Sequence, residues 1–264
     1  MHKFRINVSI TDFSLLPLGL EPLFKGMKSA GADGLEIVLG MKSRWSAKKL
    51  IQLSEKYDLP INTLHQPPWS GIDIWRDEGF MEFAKKLGIK KVVIHPKAFT
   101  ALNSPSGQHY LETIARWQDK YSVQAMLENA ASDWGIGILD TLYPVTDDVR
   151  SLEEIALNAD KYGFLINYDT SHGQLTEPHT DTIFQKVFSH LGGLHISSFD
   201  NTTEHLPLHM GDFKIKPFIR YLYERNYTGV VTFEIYYPKQ IQFREYDFAS
   251  IKKSIEIVKA ISPN

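Results

Sequence analysis

Eight short, β-branched apolar runs alternate with longer stretches of helical period, one pair about every 30 residues, which is the length of a strand–helix unit. The runs are Phe4–Ile10, Gly34–Leu39, Ile61–His65, Lys91–His95, Val123–Glu128, Phe164–Asp169, Gly193–Ser197 and Val230–Ile235. Nearly continuous apolar runs of this kind suit strands of a parallel sheet covered on both faces. Between them, Leu20, Leu23, Phe24, Met27 and Ala30 keep the 3, 4, 7 spacing of an amphipathic helix, as do Leu152, Ile155, Ala156 and Ala159. Ile215, Phe218, Ile219 and Leu222 repeat it, and Phe248, Ile251, Ile255 and Val258 close the chain. Gly88 in "AKKLGIKK" and Gly163 in "NADKYGFL" mark helices that stop before the next strand. No Pro/Ser-rich linker divides the chain, so 1–264 reads as one domain. Eight such units in 264 residues predict an α/β fold, a (β/α)8 barrel. An open, doubly wound sheet would want a phosphate loop after the first strand, and "SITDFSLLPLG" carries neither GxGxxG nor GxxxxGK.

Composition narrows the chemistry. The chain has no cysteine, which removes disulfides, thiolate zinc sites, iron–sulfur clusters and a cysteine nucleophile. It has ten histidines, so any bound metal is held by His, Asp, Glu, Asn or water. A formal net charge of −2 supplies no global field toward nucleic acid or an anionic membrane. "MHKFRINVSI" lacks the apolar stretch of a signal peptide, and no run approaches the roughly 18 residues that span a bilayer, so a cytoplasmic protein with no membrane partner is expected.

In a barrel of this kind the chemistry lies at the C-terminal ends of the strands. Strands three to eight there supply His65, His95, Glu128, Asp169 (with His172 three residues on), His195 (with His205 in its loop) and Glu234. Taken singly, His65 or His95 reads as well as a hydrogen-bonded core group, and Glu36 inside "GLEIVL" as a salt-bridged or capping group. The set reads differently. Three carboxylates, Glu128, Asp169 and Glu234, would share one mouth, and like charges that close raise each other's pKa unless a cation neutralises them. A divalent metal is the simplest solution. Oxygen and imidazole donors suit zinc, manganese, magnesium or cobalt, and the sequence does not choose among them.

The ordered motifs "HQP", "VVIHP", "LENA", "YDTSHG", "LHIS…EHLPLHMGDF" and "GVVTFE" resemble the xylose isomerase-like superfamily of sugar isomerases and epimerases, which also contains the endonuclease IV enzymes. The resemblance runs from Glu36 to Glu234 and implies a TIM barrel with one divalent metal held by Glu128, Asp169, His195 and Glu234. It implies that Glu128 and Glu234 also act as acid and base, moving a proton next to a carbonyl through a metal-stabilised enediolate. His172 matches the family histidine that contacts a substrate oxygen. His65, His95, His205 and Asn129, which follows Glu128, complete the expected substrate side. Trp69 in "QPPWSGIDIW" is expected to line the pocket, since aromatic rings stack on sugar faces, while Trp75 is left open.

Three positions depart from the relatives. Asn201 stands where ketose 3-epimerases carry an arginine six residues past the strand-seven histidine. Thr203 replaces the aspartate that would be the ninth ligand of a trinuclear endonuclease site, whose other eight have counterparts in His65, His95, Glu128, Asp169, His172, His195, His205 and Glu234. His209 stands where glycine is common and reads equally as a substrate contact or a surface residue. The expectation is an enzyme acting on a small sugar or sugar-derived substrate, with its phosphorylation state left open; a homo-oligomer is allowed and nucleic acid is not expected. The alternatives are a zinc phosphodiesterase acting on abasic DNA and a non-catalytic metal- or sugar-binding barrel. His2, His109, His179 and His190 match no motif.

Overall fold

The computed structural model describes residues 5–11, 19–39, 46–66, 78–96, 101–129, 152–173, 182–200, 203–235 and 247–261. Eight parallel strands close into a barrel: β1 (Arg5–Thr11), β2 (Gly34–Val38), β3 (Ile61–His65), β4 (Lys91–Ile94), β5 (Gln124–Glu128), β6 (Leu165–Asp169), β7 (Leu191–Ile196) and β8 (Val230–Phe233). Each strand pairs with the next, and β8 returns to β1 with Ile6 opposite Val231, which excludes the open sheet. The described helices are α1 (Leu20–Ala30), α2 (Ala47–Tyr57), α3 (Gly79–Lys86), α4 (Pro105–Tyr121), α5 (Leu152–Tyr162), α6 (Thr182–Val187), α7 (Ile215–Glu224) and α8 (Phe248–Lys259). None is long and apolar enough to cross a membrane.

Local signals set the helix ends. Ser46, Ser104 and Asp247 each accept a hydrogen bond from a backbone N–H three residues on, at 3.2, 3.1 and 3.0 Å, which satisfies donors that the first turn leaves free. Gly88 and Gly163 follow α3 and α5 in the left-handed conformation, φ 72° and 67°, as the stop signals predict.

The strands are buried on both faces, but the two faces differ in chemistry. Val8, Leu35, Ile37, Leu64, Val92, Leu127, Ile166, Leu194, Val231 and Phe233 join the apolar core shared with the helices. The alternate positions hold Asn7, Ser9, Glu36, Thr63, His65, Glu128, Asn167, Asp169, His195 and Thr232, with Val38, Val93 and Met126 among them, all buried. The side-chain period of a strand is two, so this phase points into the barrel. The nearly continuous apolar runs expected from the sequence therefore hold for burial and fail for polarity. Most of the inward polar atoms escape the burial penalty by bonding to one another across strands.

Several strand boundaries differ from the sequence expectation. His95 and Glu234 lie one residue past the ends of β4 and β8, where the ladder has stopped. β7 starts at Leu191 rather than Gly193, taking two glycines into the strand. A Cβ on Gly193 would lie 2.6 Å from Asn167 Oδ1, so tertiary contact makes glycine necessary where local propensity disfavours it.

Candidate metal and catalytic site

The ends of β5, β6, β7 and β8 place Glu128, Asp169, His195 and Glu234 around one point. His195 Nδ1 lies 2.7 Å from Glu128 Oε1, 2.5 Å from Glu234 Oε2 and 3.8 Å from Asp169 Oδ2. All four residues are at most 5% exposed. Supporting bonds hold them from behind. Asn167, two residues before Asp169 and in the same strand phase, donates to Glu128 Oε1 at 2.7 Å. Asp169 Oδ1 accepts from the Ser171 N–H, the Ser171 hydroxyl and the His172 N–H at 2.7, 2.8 and 2.8 Å. His195 Nε2 donates to Glu36, 3.1 Å from each carboxylate oxygen.

What these bonds leave over is the informative part. His195 Nδ1, Asp169 Oδ2 and Glu234 Oε2 are buried and make no hydrogen bond. Buried polar atoms of this kind are destabilising unless something charged or polar meets them. Donor atoms bound about 2.1 Å from one small divalent cation stand roughly 3–3.5 Å from each other, close to the separations here. His65, Glu128, His195 and Glu234 each offer a ligand atom within 4.8 Å of the others, and Asp169 gathers with His172 and His205 beside them, so the buried cluster could hold a divalent ion through oxygen and imidazole donors.

Two further groups surround that point. His65 Nε2 and His95 Nε2 lie 3.2 and 3.3 Å from Glu128 Oε2, with their rings edge to face at 4.9 Å. His65 Nδ1 donates to the Gln66 carbonyl. Gln66 Oε1 accepts from the His95 N–H at 3.2 Å and from the Tyr110 hydroxyl at 3.0 Å, which ties the ends of β3 and β4 to α4. On the other side, Asp169, His172 and His205 gather, with His172 Nε2 3.1 Å from His205 Nε2. His172 Nδ1 donates to the Asn129 carbonyl at 2.9 Å, and His205 Nδ1 to the Glu234 carbonyl at 3.2 Å. His205 adopts φ 56°, a left-handed backbone that costs a non-glycine residue free energy and aims its ring at His172.

Electrostatics follow from crowding at low exposure. Burial opposes charge on Glu128 and Glu234, yet His195 and His65 beside them outweigh burial and hold both carboxyls below the usual range. Burial likewise opposes charge on His195, and Glu36, Glu234 and Glu128 override it, raising that imidazole well above its ordinary value. Burial acts on His65 too, and Glu128 chiefly reverses it, lifting the ring to about 9. His95 goes the other way: burial, reinforced by His65 against the pull of Glu128, brings it to about 3. Neighbouring histidines with opposite shifts mark a site where charge is assigned by position.

The remaining candidates sort by place. Both ends of the Asn129 amide are engaged by Asp169: Oδ1 accepts from its N–H at 2.7 Å and Nδ2 donates to its carbonyl at 3.0 Å. Thr203 closes a turn with Asp200 through bonds of 2.9 and 2.8 Å. His209 is half-buried beside Lys253 and Asp247 of the α8 region. His109 and His190 are exposed. Trp69, Trp75, His2, His179 and Asn201 lie outside the described residues. Glu36, which its sequence context left between a structural and a functional reading, sits under the site; its strand phase, shared with Ser9 and Thr63, is the signal that points inward.

The sequence matches the family model described as xylose isomerase-like TIM barrel over residues 24–261, and the chain belongs to that family. No curated protein matches it. Similar solved structures include 3-keto-D-glucoside 4-epimerase YcjR from E. coli, 16% identical, with a TM-score of 0.67 over 97% of this chain and 99% of that one. D-allulose 3-epimerase from Methylomonas sp., in complex with D-allulose, is 14% identical, with a TM-score of 0.72 over 98% of each chain. L-ribulose 3-epimerase is 13% identical, with a TM-score of 0.71 over 97% of this chain and 93% of that one.

Proposed function

We propose that the protein is a divalent-metal-dependent sugar isomerase or epimerase. The observation that carries the reading is the set of three buried atoms without hydrogen bonds, His195 Nδ1, Asp169 Oδ2 and Glu234 Oε2, facing one another beside Glu128. The similar structures, which are of epimerases, support it. Glu128, Asp169, His195 and Glu234 would hold the ion, which supplies positive charge beside the carbonyl and neighbouring hydroxyl oxygens of a sugar or sugar-derived substrate.

The protein's own groups do the rest. Glu128 and Glu234 leave strands three apart around the barrel, and their carboxylates take a proton from the carbon next to the carbonyl and return one from the other side. The carboxylate that accepts is ionised, and its partner carries the proton that is returned. His172 and His205 orient substrate oxygens, and His65 and His95 back Glu128. Asn129 acts on the substrate's surroundings through Asp169 and His172. Trp69 is assigned to the pocket wall. Incubation of the metal-loaded protein with a ketose panel in D2O tests the reading. The expected result is deuterium at the carbon next to the carbonyl, abolished in Glu128→Gln and Glu234→Gln. No exchange across the panel would overturn it.

The His172–His205 pair favours a second reading, a phosphodiesterase of the abasic-site type, because two imidazole nitrogens 3.1 Å apart suit a further cation. Metal analysis separates the two: three zinc ions per chain support the phosphodiesterase, one ion the isomerase.

A further inference from the structure

We propose that Glu36 is the positioning residue of the site, fixing which nitrogen of His195 faces the cation and supplying a fourth negative charge beneath it. This rests on the metal-dependent reading above. Glu36 is fully buried in β2. Its carboxylate is gripped from both neighbouring strands: Ser9 of β1 donates to Oε1 at 2.6 Å and Thr63 of β3 donates to Oε2 at 2.8 Å. So held, it reaches across the barrel to Nε2 of His195 on β7, 3.1 Å from either oxygen.

Two features set this apart from an ordinary core ion pair. Among the described residues, the groups that donate to the carboxylate are a ring N–H and two hydroxyls. The far nitrogen of the same ring, Nδ1, makes no hydrogen bond and faces Glu128 and Glu234. In the neutral ring, with the proton of Nε2 committed to Glu36, the lone pair is left on Nδ1. A carboxylate at that position also draws the Nε2 proton toward itself and makes Nδ1 a stronger donor than a carbonyl partner would. A purely structural Glu36 would be satisfied by Gln, which has the same size and keeps an acceptor oxygen for Nε2–H. A positioning Glu36 would not, because the charge is lost.

The test combines affinity and spectroscopy on the full chain. Zn2+ affinity is measured by competition with a chromophoric chelator for wild type, Glu36→Gln and Glu36→Asp, with circular dichroism as the folding control. Loss of Glu36 charge is expected to weaken Zn2+ binding about 10–100-fold at unchanged fold, with Glu36→Asp recovering part of it. In the Zn2+-loaded wild type, 15N histidine spectra should show His195 protonated at Nε2 and metal-shifted at Nδ1, assigned by the signal lost in His195→Gln. Equal affinity of folded Glu36→Gln and wild type, or a proton on Nδ1, overturns the proposal. The wild-type spectrum decides alone if Glu36→Gln does not fold. A wild type that binds no Zn2+ overturns the metal-dependent reading itself, whereas a binding wild type with an equally binding Glu36→Gln overturns only the role of Glu36.

Discussion

His65 and His95 stand edge to face over the same carboxylate oxygen, yet one ring is held protonated and the other neutral. The difference lies in what each nitrogen meets. His65 has a carbonyl and a carboxylate to donate to, whereas both ring nitrogens of His95 are buried without a hydrogen bond. The linkage has opposite signs for the two. The folded-state value of His65 is raised, so its contribution to stability is complete below the unfolded value of 6.5 and lost as pH climbs toward about 9. The folded-state value of His95 is depressed to about 3, so the unfolded state gains a proton first and stability falls as pH drops below 6.5. Metal-stripped protein is therefore expected to be most stable near pH 6.5. Urea midpoints across pH 4–9 check this. His65→Gln should make the alkaline limb shallower, with His195 keeping its own share of it, and His95→Gln should make the acid limb shallower. A monotonic profile would contradict the assignment.

The strand is the unit that converts sequence spacing into a site. Period two sends Asn167 and Asp169 inward together, and the β6–β7 register sets Asp169 beside His195. The glycines of β7 illustrate the consequence. A Cβ at Gly193 would press on Asn167 Oδ1, and Asn167 in turn holds Glu128. A Cβ at Gly192 would meet Leu165 and Met126, which are apolar, at 2.7 and 2.8 Å. Both Gly→Ala changes should destabilise by about 1–3 kcal/mol through overpacking. Only Gly193→Ala should also weaken metal binding, because only there does the displaced neighbour bear on a ligand. Thermal denaturation and metal competition on the pair separate the effects; equal metal affinity in both variants would show that Asn167 does not transmit the strain.

At the scale of the whole barrel, the site joins four consecutive strands, β5 to β8, with Glu36 adding β2 from across the interior. A cation bound there ties together segments distant in sequence, and anything that binds only the folded state stabilises it by mass action. At a thousand times the dissociation constant this amounts to about 4 kcal/mol. Unfolding entropy near 2.1 cal/mol/K per residue converts that to about 7 °C for 264 residues. Calorimetry with and without Mn2+ or Zn2+ checks the value. The shift should collapse in Asp169→Asn, since Asp169 Oδ2 is one of the buried atoms awaiting a partner.

The barrel was legible because its signal is repetitive. Eight apolar runs at βα spacing and the glycine stops are local properties, whereas closure of β8 on β1, which excludes the open sheet, belongs to the tertiary structure. The residues at the strand ends, Glu128, Asp169, His195 and Glu234 among them, were legible for the same reason: a barrel presents its strand termini at one mouth. Tertiary structure alone decided how those residues are held. Glu36 looks like any strand glutamate until the chain closes and β2 faces β7 across the interior. Asn129 looks like a free donor until Asp169 occupies both ends of its amide. Burial without a partner, the property that marks His195 Nδ1 and Asp169 Oδ2, belongs to no residue singly, because it arises only when distant strands exclude water from a shared interior.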